Sequence, residues 1–134
     1  MRKLTVIIES ANNNYGAYIK EVDGVVALGS SIPELKEKIK EAIRVYIECC
    51  REDGFDIPEP LREEYELDYH IDVKSFLEVY SGIFTKAGLE RLTGVNQKQL
   101  WHYANGISKP RKKQRERIEQ AIHKLGNDLI SFSF

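Results

Sequence analysis

Residues 85–110, TKAGLERLTGVNQKQLWHYANGISKP, have the spacing of two short helices joined by a tight turn, and no other segment constrains the fold as much. The first helix would carry Leu89 and Leu92 on its inner side, and Gly94 would supply the left-handed residue that ends it. Asn96 is a good N-cap for the second helix. The pattern predicts a helix-turn-helix whose second half packs inward through Val95, Leu100 and Tyr103.

The second helix of this motif would present a polar face to its surroundings. Successive helical residues turn by about 100°, so Gln97, Lys98, Trp101 and His102 fall together on the outward side. Amide, ammonium and imidazole groups can hydrogen-bond base edges and phosphates in a major groove. We therefore predict DNA contact by this face, and the alternative is an ordinary solvated helix face. Trp101 would either stack on a sugar or lie in a dimer contact.

Further DNA contacts are predicted on both sides of this helix. Lys86 and Asn96 flank the helix starts, where backbone N–H groups and the helix dipole favour a phosphate. The basic run from Lys109 to Arg117 predicts contacts to phosphates by some of its residues, and Lys109, Arg111 and Lys112 are the candidates. A solvated helix surface is the alternative for this run.

Charge is divided unequally along the chain although the formal net charge is only −1. Residues 1–71 hold 9 Lys and Arg against 15 Asp and Glu, whereas residues 72–134 hold 11 against 6. Binding to a polyanion is dominated by cations that displace condensed counterions. The second half is therefore the predicted nucleic-acid end, and the first half suits a basic partner.

Composition favours a globular protein of the cytoplasm. The chain of 134 residues is 42% hydrophobic and 31% charged, and no window approaches the apolar run of about 20 residues that spans a bilayer. The start, MRKLTVIIES, has too short an apolar stretch for a signal peptide. Cys49 and Cys50 are adjacent, without a second pair or a His cluster at ligand spacing, so reduced thiols are expected and neither a metal nor a cofactor.

The first half is predicted to contain three strands, then one long helix, then a fourth strand. Strands are predicted over residues 3–9, 15–22, 25–28 and 65–71, and residues 51–64 read as a loop. Before the helix, Ser31 and Glu34 form a Ser-x-x-Glu capping box, in which each side chain satisfies the other residue's backbone N–H. The helix then carries one apolar stripe, formed by Leu35, Ile39, Ala42, Ile43, Tyr46, Ile47 and Cys50.

The second half is predicted to be all-helical. A helix over Val73–Tyr80 precedes the helix-turn-helix, and a last helix over Arg111–Leu125 precedes a tail, residues 129–134, that alternates apolar and polar residues. The predicted fold class is α+β, a small β-β-β-α-β N-terminal domain over 1–71 followed by an all-α helix-turn-helix domain over 72–134. Since one helix-turn-helix reads only a few base pairs, we expect a homodimer or a higher even oligomer, with the tail in the interface.

Both halves resemble a known family. The segment VDGVVALGSSIPELKEKIKEAIRVYIE looks like the N-terminal domain of HicB antitoxins, a partial ribonuclease-H-like fold, although HicB sequences often carry a Pro-Asp-Leu-Pro-Gly-Cys-type run where this chain has residues 21–25. The second half resembles the Cro and phage-repressor helix-turn-helix, through Thr93-Gly94-Val95, Tyr103, Asn105-Gly106 and Lys109-Pro110. Glu90 departs from that class, which usually has a small residue there.

The resemblance implies an antitoxin of a type II toxin-antitoxin pair. HicB proteins bind and block a small basic toxin, HicA, that cleaves mRNA, and the pair represses its own operon. Here residues 1–71 would cover the toxin and residues 72–134 would hold the operator DNA. No enzymatic activity is expected.

Two other classes of function are open on sequence grounds. A stand-alone transcriptional regulator would use the first half to sense a ligand or a protein. A nuclease of the ribonuclease H kind would need carboxylates that converge on a divalent metal, for which Glu9, Glu21 and Asp23 are available, but they show no recognisable catalytic spacing. An adjacent reading frame for a short basic protein would favour the antitoxin.

Overall fold

A computed structural model describes residues 1–134, leaving aside the side chain of Ala11. The chain divides into two compact units, Met1–Asp72 and Val73–Phe134. Within the described residues, the fold is mixed α/β, with one four-stranded mixed sheet and five α-helices. Unit 1 contains β1 (Arg2–Ala11), β2 (Asn14–Ile19), β3 (Val26–Gly29), α1 (Ile32–Asp53), a 3-10 turn (Glu59–Leu61) and β4 (Tyr65–Ile71). Unit 2 contains α2 (Val73–Val79), α3 (Lys86–Thr93), α4 (Gln97–Ala104) and α5 (Lys112–Ile130).

The sheet has the strand order β3-β2-β1-β4. β1 pairs antiparallel with β2, β2 pairs antiparallel with β3, and β1 pairs parallel with β4. β3 and β4 therefore run in the same direction at opposite edges, which a hairpin cannot achieve. The long helix α1 is the crossover that connects them.

The core of unit 1 lies between α1 and one face of the sheet. The strands alternate, so that Leu4, Val6 and Ile8 of β1 are buried while Thr5 and Ile7 point to the other face. Leu35, Ile39 and Ile43, from the apolar stripe of α1, are almost fully buried against this sheet. Gly29 allows the close approach, because a Cβ there would lie 3.0 Å from the backbone nitrogen of Leu35.

The start of α1 confirms half of the predicted capping box. Ser31 is the N-cap, and its side chain accepts a hydrogen bond from the backbone N–H of Glu34 at 3.2 Å. The other half of the prediction, a hydrogen bond from the backbone N–H of Ser31 to the carboxylate of Glu34, is wrong. This carboxylate accepts instead from the backbone N–H and the hydroxyl of Ser30. These bonds, with the ammonium of Lys38 at 3.3 Å, lower the pKa of Glu34 to about 2.

Unit 2 has its own small core. Leu77 of α2, Leu89 of α3, Leu100 and Tyr103 of α4, and Ile118 of α5 are buried together with Val95. The aromatic rings of Phe76, Tyr80 and Phe84 lie within 5.1 to 6.4 Å of one another, centroid to centroid, where α2 leads towards α3. All four helices therefore contribute to one cluster of side chains.

Several predicted boundaries differ from the observed ones. β2 ends at Ile19, not at residue 22, and β3 starts one residue later than predicted. α1 continues past Cys50 to Asp53 and ends at Gly54, which adopts the left-handed conformation at φ 71°. α5 continues past Leu125 to Ile130, so Leu129 and Ile130 of the predicted tail are helical. None of the helices in the described residues is both long and apolar enough to span a membrane.

Candidate nucleic-acid interface

The helix-turn-helix is formed by α3, a three-residue turn and α4. Gly94 ends α3 in the left-handed conformation, at φ 76°, and its backbone N–H donates to the carbonyl oxygen of Glu90 at 2.7 Å. In the turn, the N–H of Val95 donates to the hydroxyl of Thr93 at 3.1 Å. Asn96 then caps α4, accepting from the N–H of Lys98 at 2.8 Å. The predicted roles of Gly94 and Asn96 in the turn are confirmed.

α4 has one buried side and one open side. Leu100 and Tyr103 point into the core, whereas Gln97, Lys98 and Trp101 are exposed. Trp101 is the largest of them and is 51% exposed. His102 is half-buried, and its ring lies edge-on to that of Trp101 at 5.7 Å between centroids. The four residues chosen from helical periodicity thus share α4, and His102 lies at the margin of the open side.

The N-terminus of α4 is occupied by the protein's own acceptors. The carboxylate of Glu90, on α3, accepts from the backbone N–H of Gln97 at 2.9 Å, and Asn96 takes the N–H of Lys98. A phosphate at this helix start would have to displace one of these oxygens or lie near a carboxylate. Asn96 is exposed, but its side-chain oxygen already caps the helix.

The remaining predicted contacts lie at helix starts or in the connection between α4 and α5. Lys86 is the first residue of α3 and is half-buried. Lys109 and Arg111 flank Pro110 in the connection from α4 to α5, and both are exposed. Lys112 is the first residue of α5, and its ammonium lies 3.9 Å from the carboxylate of Glu116. The predicted set therefore divides into residues on or next to α4, residues at the α4–α5 junction, and Lys86 by itself at the start of α3.

Three residues in this region make contacts that were not predicted from the sequence. Glu90 holds the start of α4, as described above. Arg117 of α5 covers the turn, since a Cβ at Gly94 would lie 2.6 Å from its guanidinium nitrogen. Gln99 donates from its amide to the hydroxyl of Ser108 at 3.1 Å and so fixes the chain that leaves α4. Of these three contacts, the sequence gives a signal only for that of Glu90, because it is an acidic residue seven positions before Gln97, the first residue of α4.

Glu9, Glu21 and Asp23 are the carboxylates of unit 1 that a metal-dependent nuclease would use. Among the described residues, no group of three His, Cys, Asp or Glu side chains is placed to hold a metal ion. The carboxylate of Glu21 is engaged by Thr5, through the backbone N–H and the hydroxyl, both at 2.8 Å. Desolvation acts to raise the pKa of Glu21, but the hydrogen bonds from Thr5, with its own backbone N–H and the nearby ammonium of Lys20, leave the pKa below its usual value.

Comparison with known proteins gives no relative. No protein-family model matches the chain, and neither a curated protein nor a solved structure is significantly similar to it. The function must therefore be inferred from the residues and contacts of the chain itself.

Proposed function

We propose that unit 2 binds operator DNA by placing the open side of α4 in the major groove. The observation that carries this proposal is the motif itself, a capped pair of eight-residue helices whose second member exposes Gln97, Lys98 and Trp101. An amide can bond the edge of an adenine, and an ammonium can bond a guanine or a phosphate. His102, at the margin, adds a further donor.

Phosphate contacts would come from the basic residues around α4. Lys109 and Arg111 are exposed in the connection before α5, Lys112 is exposed at the start of α5, and Lys86 starts α3. Such contacts fix the position of a protein on the duplex without reading its sequence. Asn96 would contribute through its amide nitrogen, because its oxygen caps α4.

For the whole chain we propose a HicB-like antitoxin of the cytoplasm that acts as a homodimer. Unit 2 would hold the operator of its own operon, and unit 1 would bind and block a small basic, mRNA-cleaving toxin. The charge difference between the halves supports this division, because a net charge of −6 over residues 1–71 attracts a cationic partner and repels DNA. The proposed role needs no catalytic residue, metal or cofactor in this chain.

The second candidate is a stand-alone transcriptional regulator with a sensing N-terminal unit. It shares the DNA-binding unit and differs only in the partner of unit 1. The gene next to this one discriminates between them, because a short reading frame for a basic protein favours the antitoxin.

The DNA-binding proposal is tested by titrating the full-length chain against DNA from upstream of its own reading frame. Raising salt from about 50 to 200 mM should weaken binding by orders of magnitude. Gln97→Ala should cost about 1–3 kcal/mol at the preferred site and relax the sequence preference. Lys112→Ala should weaken binding to all sequences alike and lower the salt dependence.

Lys40→Ala, an equal change of charge on α1 of unit 1, is the matched control and should leave DNA binding unchanged. If Lys40→Ala weakens binding as much as Lys112→Ala, or if binding is independent of salt, unit 2 is not the DNA-binding unit.

A further inference from the structure

The sheet of unit 1 has a second face that α1 does not cover. Ile7, Tyr18 and Val26 are paired across β1, β2 and β3, so their side chains form one row on this face. Leu28 lies beside the row, opposite Gly16, and a Cβ at Gly16 would be in ordinary contact with it at 3.6 Å. We call these four apolar side chains, Ile7, Tyr18, Val26 and Leu28, the open sheet face.

The open sheet face is unusually apolar for a surface that water reaches. Val26 is 68% exposed and Leu28 is 64% exposed, although both are apolar residues of β3, the strand that follows buried Val25. Tyr18 is 40% exposed beside them. Single exposed apolar residues need no explanation, but contiguous ones on one surface are typical of a protein contact.

The charged positions on the same side of the sheet are mostly acidic. The outward positions of β1 and β4 supply three carboxylates, from Glu9, Glu66 and Asp68, against the one ammonium of Lys3. Asp68 is paired with His70 at 2.8 Å. Carboxylates beside an apolar centre repel nucleic acid and disfavour a second acidic copy of the same face, whereas they attract lysine and arginine side chains.

We propose that the open sheet face is the docking surface for a basic protein, which contacts Val26, Leu28 and Tyr18 with apolar side chains and the flanking carboxylates with cations. This proposal rests on the proposed antitoxin function and names the surface that the function uses. The apolar centre would hold the complex, and the carboxylates would accelerate association.

The test uses the full-length chain co-expressed with the product of the short basic reading frame next to its own gene. The variant Val26→Lys with Leu28→Lys places two cations on the open sheet face, and lysine is well tolerated on an edge strand. Its matched control is Val45→Lys with Phe55→Lys, which changes two exposed apolar residues on α1 and just after it. Circular dichroism and thermal unfolding verify that each variant folds, and Val26→Thr with Leu28→Thr replaces the lysine pair if it does not.

We expect the open-face variant to lose about 100-fold or more in affinity for the basic partner and the control to bind like the wild type. Higher salt should slow association of the wild type. If the open-face variant binds as tightly as the control, the surface is wrong while the antitoxin function stands. If the wild type binds no such protein, the antitoxin function fails and the docking surface with it. If the wild type is a dimer and the open-face variant is a monomer, a second copy occupies this face and the proposal is overturned.

Discussion

The carboxylate of Glu90 on α3 accepts a hydrogen bond from the backbone N–H of Gln97, the first residue of α4, at 2.9 Å. The bond joins the two helices of the helix-turn-helix across the turn. It explains how the motif accommodates a long acidic side chain at this position of the first helix. The side chain reaches past the turn to satisfy a free N–H of the next helix.

Glu90→Ala should therefore change stability and DNA affinity in opposite directions. Loss of the cap should lower the free energy of unfolding by about 1 kcal/mol. Loss of a negative charge at the start of α4 should tighten binding to DNA of any sequence. Thermal unfolding and salt-dependent titration measure the two effects. Glu119→Ala, on α5, is the control for charge alone, and an equal loss of stability there would mean that the Glu90 bond contributes nothing.

Gly94→Ala should destabilise unit 2 by about 1–2 kcal/mol, because the residue adopts a left-handed conformation that side chains with a Cβ disfavour. The Arg117 guanidinium would have to move as well, since it lies 2.6 Å from the site of the new Cβ. Gly126→Ala is the matched control. Gly126 is inside α5 with no atom within 4 Å of its Cβ position, so the same change should stabilise by about 0.5–1 kcal/mol. Urea unfolding of both variants should show opposite signs, and equal signs would contradict this account.

Glu34 should make unit 1 less stable in acid. Because the pKa of Glu34 is lowered to about 2 in the folded chain, its contribution is fully present above its ordinary pKa of 4.5 and is lost as the pH falls from there through 2. Glu34→Gln should be less stable than the wild type near neutral pH, and the difference should shrink over that range. Glu37→Gln, on the same helix with an ion pair to Lys40, is the control. A difference that stays constant with pH would rule out the Ser30–Glu34 interaction as its source.

The local elements were largely predictable from the sequence. The two helices of the motif, the Gly94 turn and the Asn96 cap follow from residue types at fixed spacing, and β4 has the predicted bounds, Tyr65–Ile71. Such features depend on neighbours in the chain, which a sequence displays directly. The buried side of α4, with Leu100 and Tyr103, follows in the same way from helical periodicity.

Contacts between separate elements were not predictable in this way. The parallel pairing of β1 with β4 places Glu66 and Asp68 on the same side of the sheet as the open sheet face, yet no local pattern encodes it. The bond from Glu90 to Gln97 and the position of Arg117 over Gly94 depend on how α3, α4 and α5 pack. The end of α5 was misjudged for another reason. Gly126 reads as a helix end, but the helix passes through it to Ile130.

Because Leu129 and Ile130 are helical, the predicted dimer interface extends from the tail along one side of α5. Ile118 is buried at the start of an apolar stripe that continues through half-buried Ile122 and Leu125 to Leu129, which is 60% exposed. These residues recur at helical spacing, so a second copy packed along the stripe would cover Leu129 together with the exposed Phe132 that follows α5.

Leu129→Lys with Phe132→Lys should convert a dimer into a monomer and weaken binding to a two-half-site operator by orders of magnitude, because each helix-turn-helix reads only a few base pairs. Affinity for a single half-site should change little. Light scattering measures the mass, and Ile83→Lys, at another exposed apolar residue of unit 2, is the control. A variant that remains dimeric would place the interface elsewhere. A wild type that is monomeric both in solution and on DNA would rule out binding of a dimer to two half-sites.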